Sequence, residues 1–222
     1  HEQSAAHMAD GFGRVSRKPG VCFATSGPGA TNLLTGIATA QADSAPMVAV
    51  TGQVPVNMIG RDAFQESDII GMSNPSVKYA FQPRTVEEIP EVVKKGLYVA
   101  ETGRPGPVLL DIPKDVQQNE AKVTFPDEVR MPGYHPWTDV DMVNIERAIE
   151  LLLSAEKPII LAGGGTIISS AFAELQSVAE MLMIPVVTTF KGKGSFPENH
   201  PLSLGPIGMH GHAEANKIMT EV

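Results

Sequence analysis

The beginning of the chain places a carboxylate close to a glycine turn. Glu2 stands at the start of a helix-like stretch, and the segment TSGPGATN at 25–32 follows a short apolar run. The helix dipole favours a glutamate in the first turn of any helix, so a solvated helix-start residue is one interpretation of Glu2. A catalytic acid is the other interpretation.

The glycine turn also has two interpretations. A strand that ends in a glycine turn and opens a helix can hold a phosphate on free backbone N–H groups. The spacing is neither that of the lysine-containing phosphate loop nor GxGxxG. The alternative is a tight turn in which Gly27 and Gly29 allow close backbone approach, and Thr31 or Asn32 caps the following helix.

A long loop with mixed chemistry follows a second apolar run. Residues 52–67 read GQVPVNMIGRDAFQES and combine apolar Met58 and Phe64 with polar Arg61 and Gln65. After a strand of an α/β sheet, such a loop suits a ligand pocket at the carboxyl edge. Packing on a partner subunit is an equal alternative.

Two further stretches carry weaker signals. Three glycines at 163–165 follow an apolar run, which leaves room for the backbone of a nucleotide to approach. His210 and His212 lie two residues apart, but no third ligand has suitable spacing, which favours surface or pocket histidines over a zinc site.

Composition narrows the classes of protein. The chain has 222 residues, a formal net charge of −8 and 42% hydrophobic residues, which is enough apolar material for a core. The acidic balance argues against a nucleic acid or an anionic membrane as partner. The single cysteine, Cys22, lies in an apolar run and predicts a buried reduced thiol, which suits the cytoplasm.

Strand-like and helix-like patterns alternate along the whole chain. Nearly continuous apolar runs predict strands buried on both faces, as in a parallel sheet, at 21–26, 47–52, 107–113, 158–163 and 185–189. Amphipathic patterns predict helices between them, over 85–103, 138–157 and 172–183.

Two of these helices have start signals. Thr85 with Glu88, and Thr138 with Asp141, form capping-box patterns, and Pro90 predicts a kink or a shifted start in the first of them. The alternation predicts an α/β fold of two doubly wound, mainly parallel-sheet domains, at 1–118 and 138–222. Residues 119–137 contain three prolines and no periodicity, which predicts a linker.

The motifs resemble one enzyme family in their order. The chain reads HEQSAAHMADGFGR, ATSGPGATNLLTGIATAQADSAPMVAVTGQVP, MIGRDAFQE, GRPGPVLLDIPKDVQ, AGGG and GMHGH. This series resembles the large catalytic subunit of acetolactate synthase, a thiamine diphosphate enzyme, over essentially the whole chain. The resemblance implies a partial pyrimidine-binding domain at 1–118 and a partial central FAD-binding-type domain at 138–222. We therefore expect a fragment that is inactive alone, whose Mg2+ ligands belong to a diphosphate-binding domain outside it.

The resemblance assigns Glu2 to the activating glutamate of the family. That residue hydrogen-bonds N1′ of the cofactor's aminopyrimidine and makes the 4′-imino nitrogen basic enough to remove the C2 proton. A buried glutamate with a raised pKa would suit this relay. Pro28, Asn32 and Gln65 are implied as further thiamine diphosphate contacts, with Gln65 also catalytic. The implied substrate channel contains Phe64 and Lys78.

The family also binds FAD. The residues implied as flavin contacts are Arg104, Gly163, Gly164, Gly165, Thr189, Phe190, Lys191, Met209 and His210. Without the resemblance, a turn residue between helix and strand is the preferred interpretation of Arg104.

The implied reaction is decarboxylation of pyruvate and ligation of the two-carbon unit to pyruvate or 2-oxobutyrate, in branched-chain amino-acid biosynthesis. The implied partners are a second copy of the chain, with the active site between subunits, and a small regulatory subunit. The expected compartment is the cytoplasm, or an organellar stroma in a eukaryote. The alternatives are another enzyme of the superfamily, of pyruvate oxidase or sulfoacetaldehyde acetyltransferase type, and a non-catalytic nucleotide-binding module.

Overall fold

The computed structural model describes residues 1–136 and 139–221, and Thr138 of the predicted capping box lies outside them. The chain divides into two compact units, 1–138 and 139–222. Each unit contains one parallel sheet with helices, of four strands in the first unit and three in the second. The predicted α/β class with parallel sheets is confirmed.

The first unit alternates strands and helices along the chain. Its strands are β1 (Gly20–Ala24), β2 (Met47–Gln53), β3 (Tyr79–Phe81) and β4 (Pro107–Pro113). Its helices are α1 (Glu2–Ser16), α2 (Pro28–Asn32), α3 (Leu34–Asp43), α4 (Ile69–Ser73), α5 (Ile89–Glu101) and α6 (Lys114–Gln118).

The four strands lie in the order β1-β2-β4-β3 and are all parallel. The central strand β4 buries Val108, Leu109 and Leu110 almost completely, as a strand covered on both faces must. Leu109 belongs to the core cluster on the side of α1 and α3, and Val108 and Leu110 belong to the cluster on the side of α5. Helices therefore cover both faces of the sheet, which confirms the doubly wound arrangement for this unit.

Glycines let α1 pack very closely on its neighbours. A side chain at Gly36 of α3 would place its Cβ 2.4 Å from the Cβ of Ala6, and one at Gly13 would come within 2.3 Å of the Pro46 carbonyl oxygen. Since α1 packs along β1 and precedes it in the chain, its first turn lies at the carboxyl edge of the sheet. This packing positions Glu2.

The helix starts differ in part from the predictions. Pro90 does shift the start of α5 to Ile89, after a 3-10 turn over Val86–Glu88. The capping role of Thr85 is wrong, because its side chain makes no capping bond, and the Glu88 carboxylate instead accepts from the Arg84 N–H at 2.9 Å. Neither Thr31 nor Asn32 caps the start of the helix after the glycine turn, because that helix, α2, already begins at Pro28.

Residues 119–136 form neither helix nor strand, and they pack on the first unit. Lys94 of α5 donates to the carbonyl oxygens of Pro126 and Asp127. Tyr134 packs edge-on against Tyr98, with 6.0 Å between the ring centroids. The predicted linker segment is thus tied to α5.

The second unit contains strands β5 (Ile160–Ala162), β6 (Val186–Thr188) and β7 (Ser203–Pro206), in the order β5-β6-β7. Its helices are α7 (Met142–Ser154), α8 (Gly164–Ile168), α9 (Phe172–Leu182) and α10 (Ala213–Ile218). Asp141 is itself the N-cap of α7 and accepts from the Asn144 N–H at 3.1 Å. It therefore does not occupy the N3 position that the predicted capping box gave it. Among the described residues, no helix is long and apolar enough to cross a membrane.

Candidate active site

The carboxyl edge of the first sheet collects the candidate catalytic residues. Because the strands are parallel, the segments that leave β1, β2 and β4 all start at this edge. The glycine turn follows β1, the long loop follows β2, and the first turn of α1 lies beside them. Three elements therefore bring candidate residues to one region: α1 brings Glu2, α2 brings Pro28 and Asn32, and the long loop brings Gln65.

Glu2 and Asn32 are in direct contact. The Asn32 side-chain amide donates to Glu2 Oε2 at 3.2 Å. Gly29 lies beside the other carboxylate oxygen, because a Cβ there would be 3.6 Å from Glu2 Oε1 and only 2.7 Å from Thr25 Cγ2. The turn thus brings its backbone close to the acid, which confirms the predicted close approach at Gly29.

The electrostatics of Glu2 differ from the expected buried acid. Its side chain is 35% exposed. Hydrogen bonds from its own backbone N–H and from the Asn32 amide lower the pKa of Glu2 below the ordinary glutamate value. The expectation of a raised pKa is therefore wrong for this chain, because hydrogen-bond donors outweigh desolvation here.

Gln65 lies against the glycine turn through its backbone. A side chain at Gly27, whose φ is +62°, would come within 2.7 Å of the Gln65 carbonyl oxygen and 3.0 Å of its Cα. Gln65 itself has a φ of 58°, and both it and its neighbour Phe64 expose their side chains. The long loop after β2 therefore reaches the turn after β1, as a pocket at the carboxyl edge requires.

Lys78 is not part of this group. It immediately precedes β3, which places it at the amino edge of the sheet. Its ammonium group donates to the carbonyl oxygens of Val99 and Thr102 and contacts the Tyr134 hydroxyl at 3.1 Å. These contacts anchor the end of α5, and the channel role of Lys78 remains a prediction without support from its position.

A different lysine lies at the carboxyl edge. Lys114 follows β4 directly and lines a cleft of about 430 Å3, together with Thr25, Gly52 and Gln117. The sequence signal was its place right after the apolar run at 107–113, where a charged residue must reach the carboxyl edge. Lys114 is therefore a candidate site residue that the motifs alone did not reveal.

The second unit gathers its candidate residues at its own carboxyl edge. The Thr189 N–H donates to the Ala162 carbonyl oxygen at 3.0 Å, and a Cβ at Gly164 would lie 3.2 Å from the Cβ of Lys191. A Cβ at Gly165 would have no neighbour within 4 Å. The glycine segment and residues 189–191 thus lie side by side, with open space next to the backbone of Gly165.

Four other predicted flavin contacts are exposed, follow another strand or lie in the first unit. Phe190 and Met209 have side chains that are 79% and 94% exposed. Met209 and His210 follow β7. Arg104 belongs to the first unit, where its guanidinium donates to the Ser44 hydroxyl at 2.7 Å.

Comparison with known proteins gives two adjacent family matches. A family model described as "Thiamine pyrophosphate enzyme, N-terminal TPP binding domain" matches residues 1–72, and one described as "Thiamine pyrophosphate enzyme, central domain" matches residues 145–222. The chain belongs to the thiamine pyrophosphate enzymes. The resemblance seen in the sequence motifs is confirmed.

Relatives within this enzyme family are similar along the whole chain. "Probable acetolactate synthase large subunit" of Methanocaldococcus jannaschii is 55% identical over 100% of the chain and 38% of the relative. "Acetolactate synthase isozyme 3 large subunit" of Escherichia coli is 47% identical over 99% of the chain and 38% of the relative. The chain therefore spans less than half the length of the acetolactate synthase subunits it matches.

The residues at the first carboxyl edge fit thiamine diphosphate, the cofactor of this enzyme family. A carboxylate held by one amide faces a glycine turn that leaves no room for a side chain at Gly29. Small-molecule sites combine closely packed walls with a few fixed polar groups, and these residues supply both. Within residues 1–136 and 139–221, no cluster of three His, Cys, Asp or Glu side chains could hold a metal ion.

Proposed function

We propose that this chain forms part of an acetolactate synthase large subunit, which decarboxylates pyruvate and ligates the two-carbon unit to pyruvate or 2-oxobutyrate. The observation that carries the proposal is the contact between Glu2 and Asn32 at the glycine turn. The similarity to acetolactate synthase subunits over the whole chain supports it.

The chain's own residues contribute orientation and proton handling. Thiamine diphosphate, when bound, supplies the acidic carbon that adds to a 2-ketoacid and the electron sink that accepts the electron pair when CO2 leaves. The carboxylate of Glu2, whose pKa is lowered, would accept a hydrogen bond from a ring nitrogen of the cofactor when that nitrogen carries a proton. Asn32 fixes the direction of that carboxylate, and the exposed Phe64 and Gln65 border the space in front of the turn.

The central domain is proposed to bind FAD through the second carboxyl edge. The open space beside Gly165, with Gly163 and Gly164 next to it, suits a ligand that approaches the backbone. The proposed flavin set also includes Arg104, Thr189, Phe190, Lys191, Met209 and His210.

The remaining parts of the proposal concern the whole protein. Mg2+ is proposed to bind outside this chain, and a second copy of the chain is proposed to complete the active site. The relatives named as large subunits support a small regulatory subunit as a further partner. The buried free thiol of Cys22 supports a reducing compartment, the cytoplasm or an organellar stroma.

A product assay on the complete protein tests the proposed reaction. With pyruvate, thiamine diphosphate and Mg2+ we expect acetolactate, whereas acetate or acetyl phosphate would indicate an enzyme of pyruvate oxidase or acetyltransferase type. Glu2→Gln should lower kcat by about a hundredfold or more. The matched control is Glu91→Gln on the exposed face of α5, which should leave kcat unchanged. Unchanged turnover in Glu2→Gln would contradict the proposal.

A further inference from the structure

Carboxylates and an amide fix both ends of the loop between β2 and α4. At its start, both carboxylate oxygens of Asp115 accept from the Val56 N–H, at 3.1 and 3.2 Å. At its end, the buried Gln53 amide donates to the Ser67 carbonyl oxygen at 2.9 Å and to Asp111 at 3.1 Å. The two ends of the loop are thereby tied to β2, β4 and α6.

In the middle of the loop, the carboxylate of Glu66 binds the backbone at two points. One oxygen of its carboxylate accepts from the Gly60 N–H, and the other accepts from the Ala63 N–H at 2.8 Å. The Glu66 N–H in turn donates to the Ala63 carbonyl oxygen at 2.9 Å. Glu66 thus folds the chain from Gly60 to Ala63 around its own carboxylate.

This stretch has an unfavourable backbone conformation. Gly60, Asp62 and Gln65 have positive φ angles of 81°, 55° and 58°. A residue other than glycine in this region costs on the order of 1–3 kcal/mol and persists only where its surroundings enforce it. The two N–H bonds to Glu66 span Asp62, so they oppose its relaxation.

The enforced conformation determines where Gln65 lies. Gln65 directly precedes Glu66, and its backbone packs on Gly27 so closely that a Cβ at Gly27 would overlap the Gln65 carbonyl oxygen. If the Glu66 carboxylate released Gly60 and Ala63, the loop would lose the bonds that keep Gln65 against the glycine turn.

We infer that Glu66 is a positioning residue, whose carboxylate holds the loop from Gly60 to Gln65 so that Phe64 and Gln65 face the space in front of the glycine turn. This inference rests on the proposed function, because it assigns Phe64 and Gln65 to that site. In this inference Glu66 acts through the backbone of the loop, to which its carboxylate is bound.

The test compares two glutamates that accept backbone N–H groups. In the complete protein, Glu66→Gln replaces one acceptor oxygen by an amide that repels an N–H group. Glu88→Gln is the matched control, since Glu88 accepts from the Arg84 N–H at the start of α5. We measure kcat and KM for acetolactate formation, the midpoint of thermal unfolding, and hydrogen–deuterium exchange of the peptide over residues 58–66.

We expect Glu66→Gln to speed exchange in this peptide and to lower kcat/KM by about tenfold to a hundredfold, with little change in the unfolding midpoint. Glu88→Gln should change neither the exchange of this peptide nor kcat/KM. Glu66→Asp keeps the charge but shortens the reach, so it should also lower kcat/KM. It serves as the test if Glu66→Gln fails to fold.

Faster exchange with unchanged kinetics would overturn the inference, and so would unchanged exchange. If the wild-type protein forms acetolactate and Glu66→Gln has the same kcat/KM, only the inference about Glu66 is overturned. A wild-type protein that forms no acetolactate overturns the proposed function first.

Discussion

At one edge of the first sheet, the pKa values of two carboxyl groups shift in opposite directions, downward at Glu2 and upward at Asp111. Glu2 is partly exposed and its pKa is lowered by its own N–H and by Asn32. Asp111 is fully buried in β4, and this burial raises its pKa although Thr51, Gln82 and Gln53 all donate to it. Hydrogen-bond donors therefore set the direction of the pKa shift at Glu2, and burial sets it at Asp111.

Removing the amide next to Glu2 should raise its pKa. In Asn32→Leu we expect the acidic limb of the kcat/KM profile of the complete protein to move to higher pH. The pKa of Glu2 in the folded protein lies below its ordinary value. The hydrogen bond from Asn32 therefore stabilises the fold at pH values above that ordinary value. Its contribution is lost as pH falls through the folded pKa.

Asn144→Leu is the control for this substitution. Asn144 also donates to a carboxylate, that of Asp141 at 2.6 Å, but it does so in α7 of the second unit. The acidic limb should stay in place in this variant. An unmoved limb in Asn32→Leu would show that Asn32 does not control the ionisation of Glu2.

Residue types and the family resemblance identified Glu2, Asn32 and Gln65 as a group, and the structure brings these three residues together. The direction of the Glu2 pKa could not be predicted, because it depends on which donors reach the carboxylate. Lys78 was placed in the channel although it precedes a strand of only three residues, Tyr79–Phe81, which the periodicity did not reveal. Without that strand, nothing in the residue pattern indicates which edge of the sheet Lys78 occupies.

Helix α1 contains two glycines whose surroundings differ. Gly11 and Gly13 stand two residues apart in this helix, yet a Cβ at Gly11 has no neighbour within 4 Å and one at Gly13 meets the Pro46 carbonyl at 2.3 Å. The helix can therefore approach the start of β2 only along the side that bears Gly13.

Two alanine substitutions should separate helix propensity from packing. Gly13→Ala should destabilise the protein by about 1–3 kcal/mol, since α1 has to move away from Pro46. Gly11→Ala should stabilise it by about 0.5–1 kcal/mol, because alanine favours the helix. Thermal unfolding of both variants of the complete protein checks this, and equal midpoints would refute the packing argument.

The elements found from the sequence are those with a strong pattern. The apolar runs predicted β1, β2, β4, β5 and β6 within a few residues. Both missed strands are short, and β7 contains Gly205 and Pro206, which break the usual strand composition. Capping residues were predicted least well, because the local backbone at Thr85 and Thr31 decides whether a side chain reaches the first turn.

At the scale of the molecule, each of the two units places its glycine segments at the carboxyl edge of a parallel sheet. This arrangement follows from the alternation of strands and helices, so the sequence was sufficient to predict it. The contact of Gln65 with Gly27 could not be predicted, because it depends on positive φ angles in a loop without periodicity.

Cys22 should report the unfolding of the first unit. Burial raises the pKa of its thiol to about 11, and only the thiolate reacts with alkylating agents. We expect iodoacetamide at neutral pH to modify Cys22 in the native protein on the order of a hundredfold more slowly than in denaturant. Mass spectrometry of the peptide containing Cys22 measures both rates, and rapid native labelling would contradict the buried position in β1.

The strand order of the first sheet has a consequence for how the protein is made. β4 lies between β2 and β3, although it follows both of them in the chain. On the ribosome, α1, the glycine turn and the Gln65 loop leave the exit tunnel while the place beside β2 is still open. Until Pro113 has emerged, the edge of β2 that pairs with β4 stays unpaired, and the candidate site residues lie on an incomplete sheet.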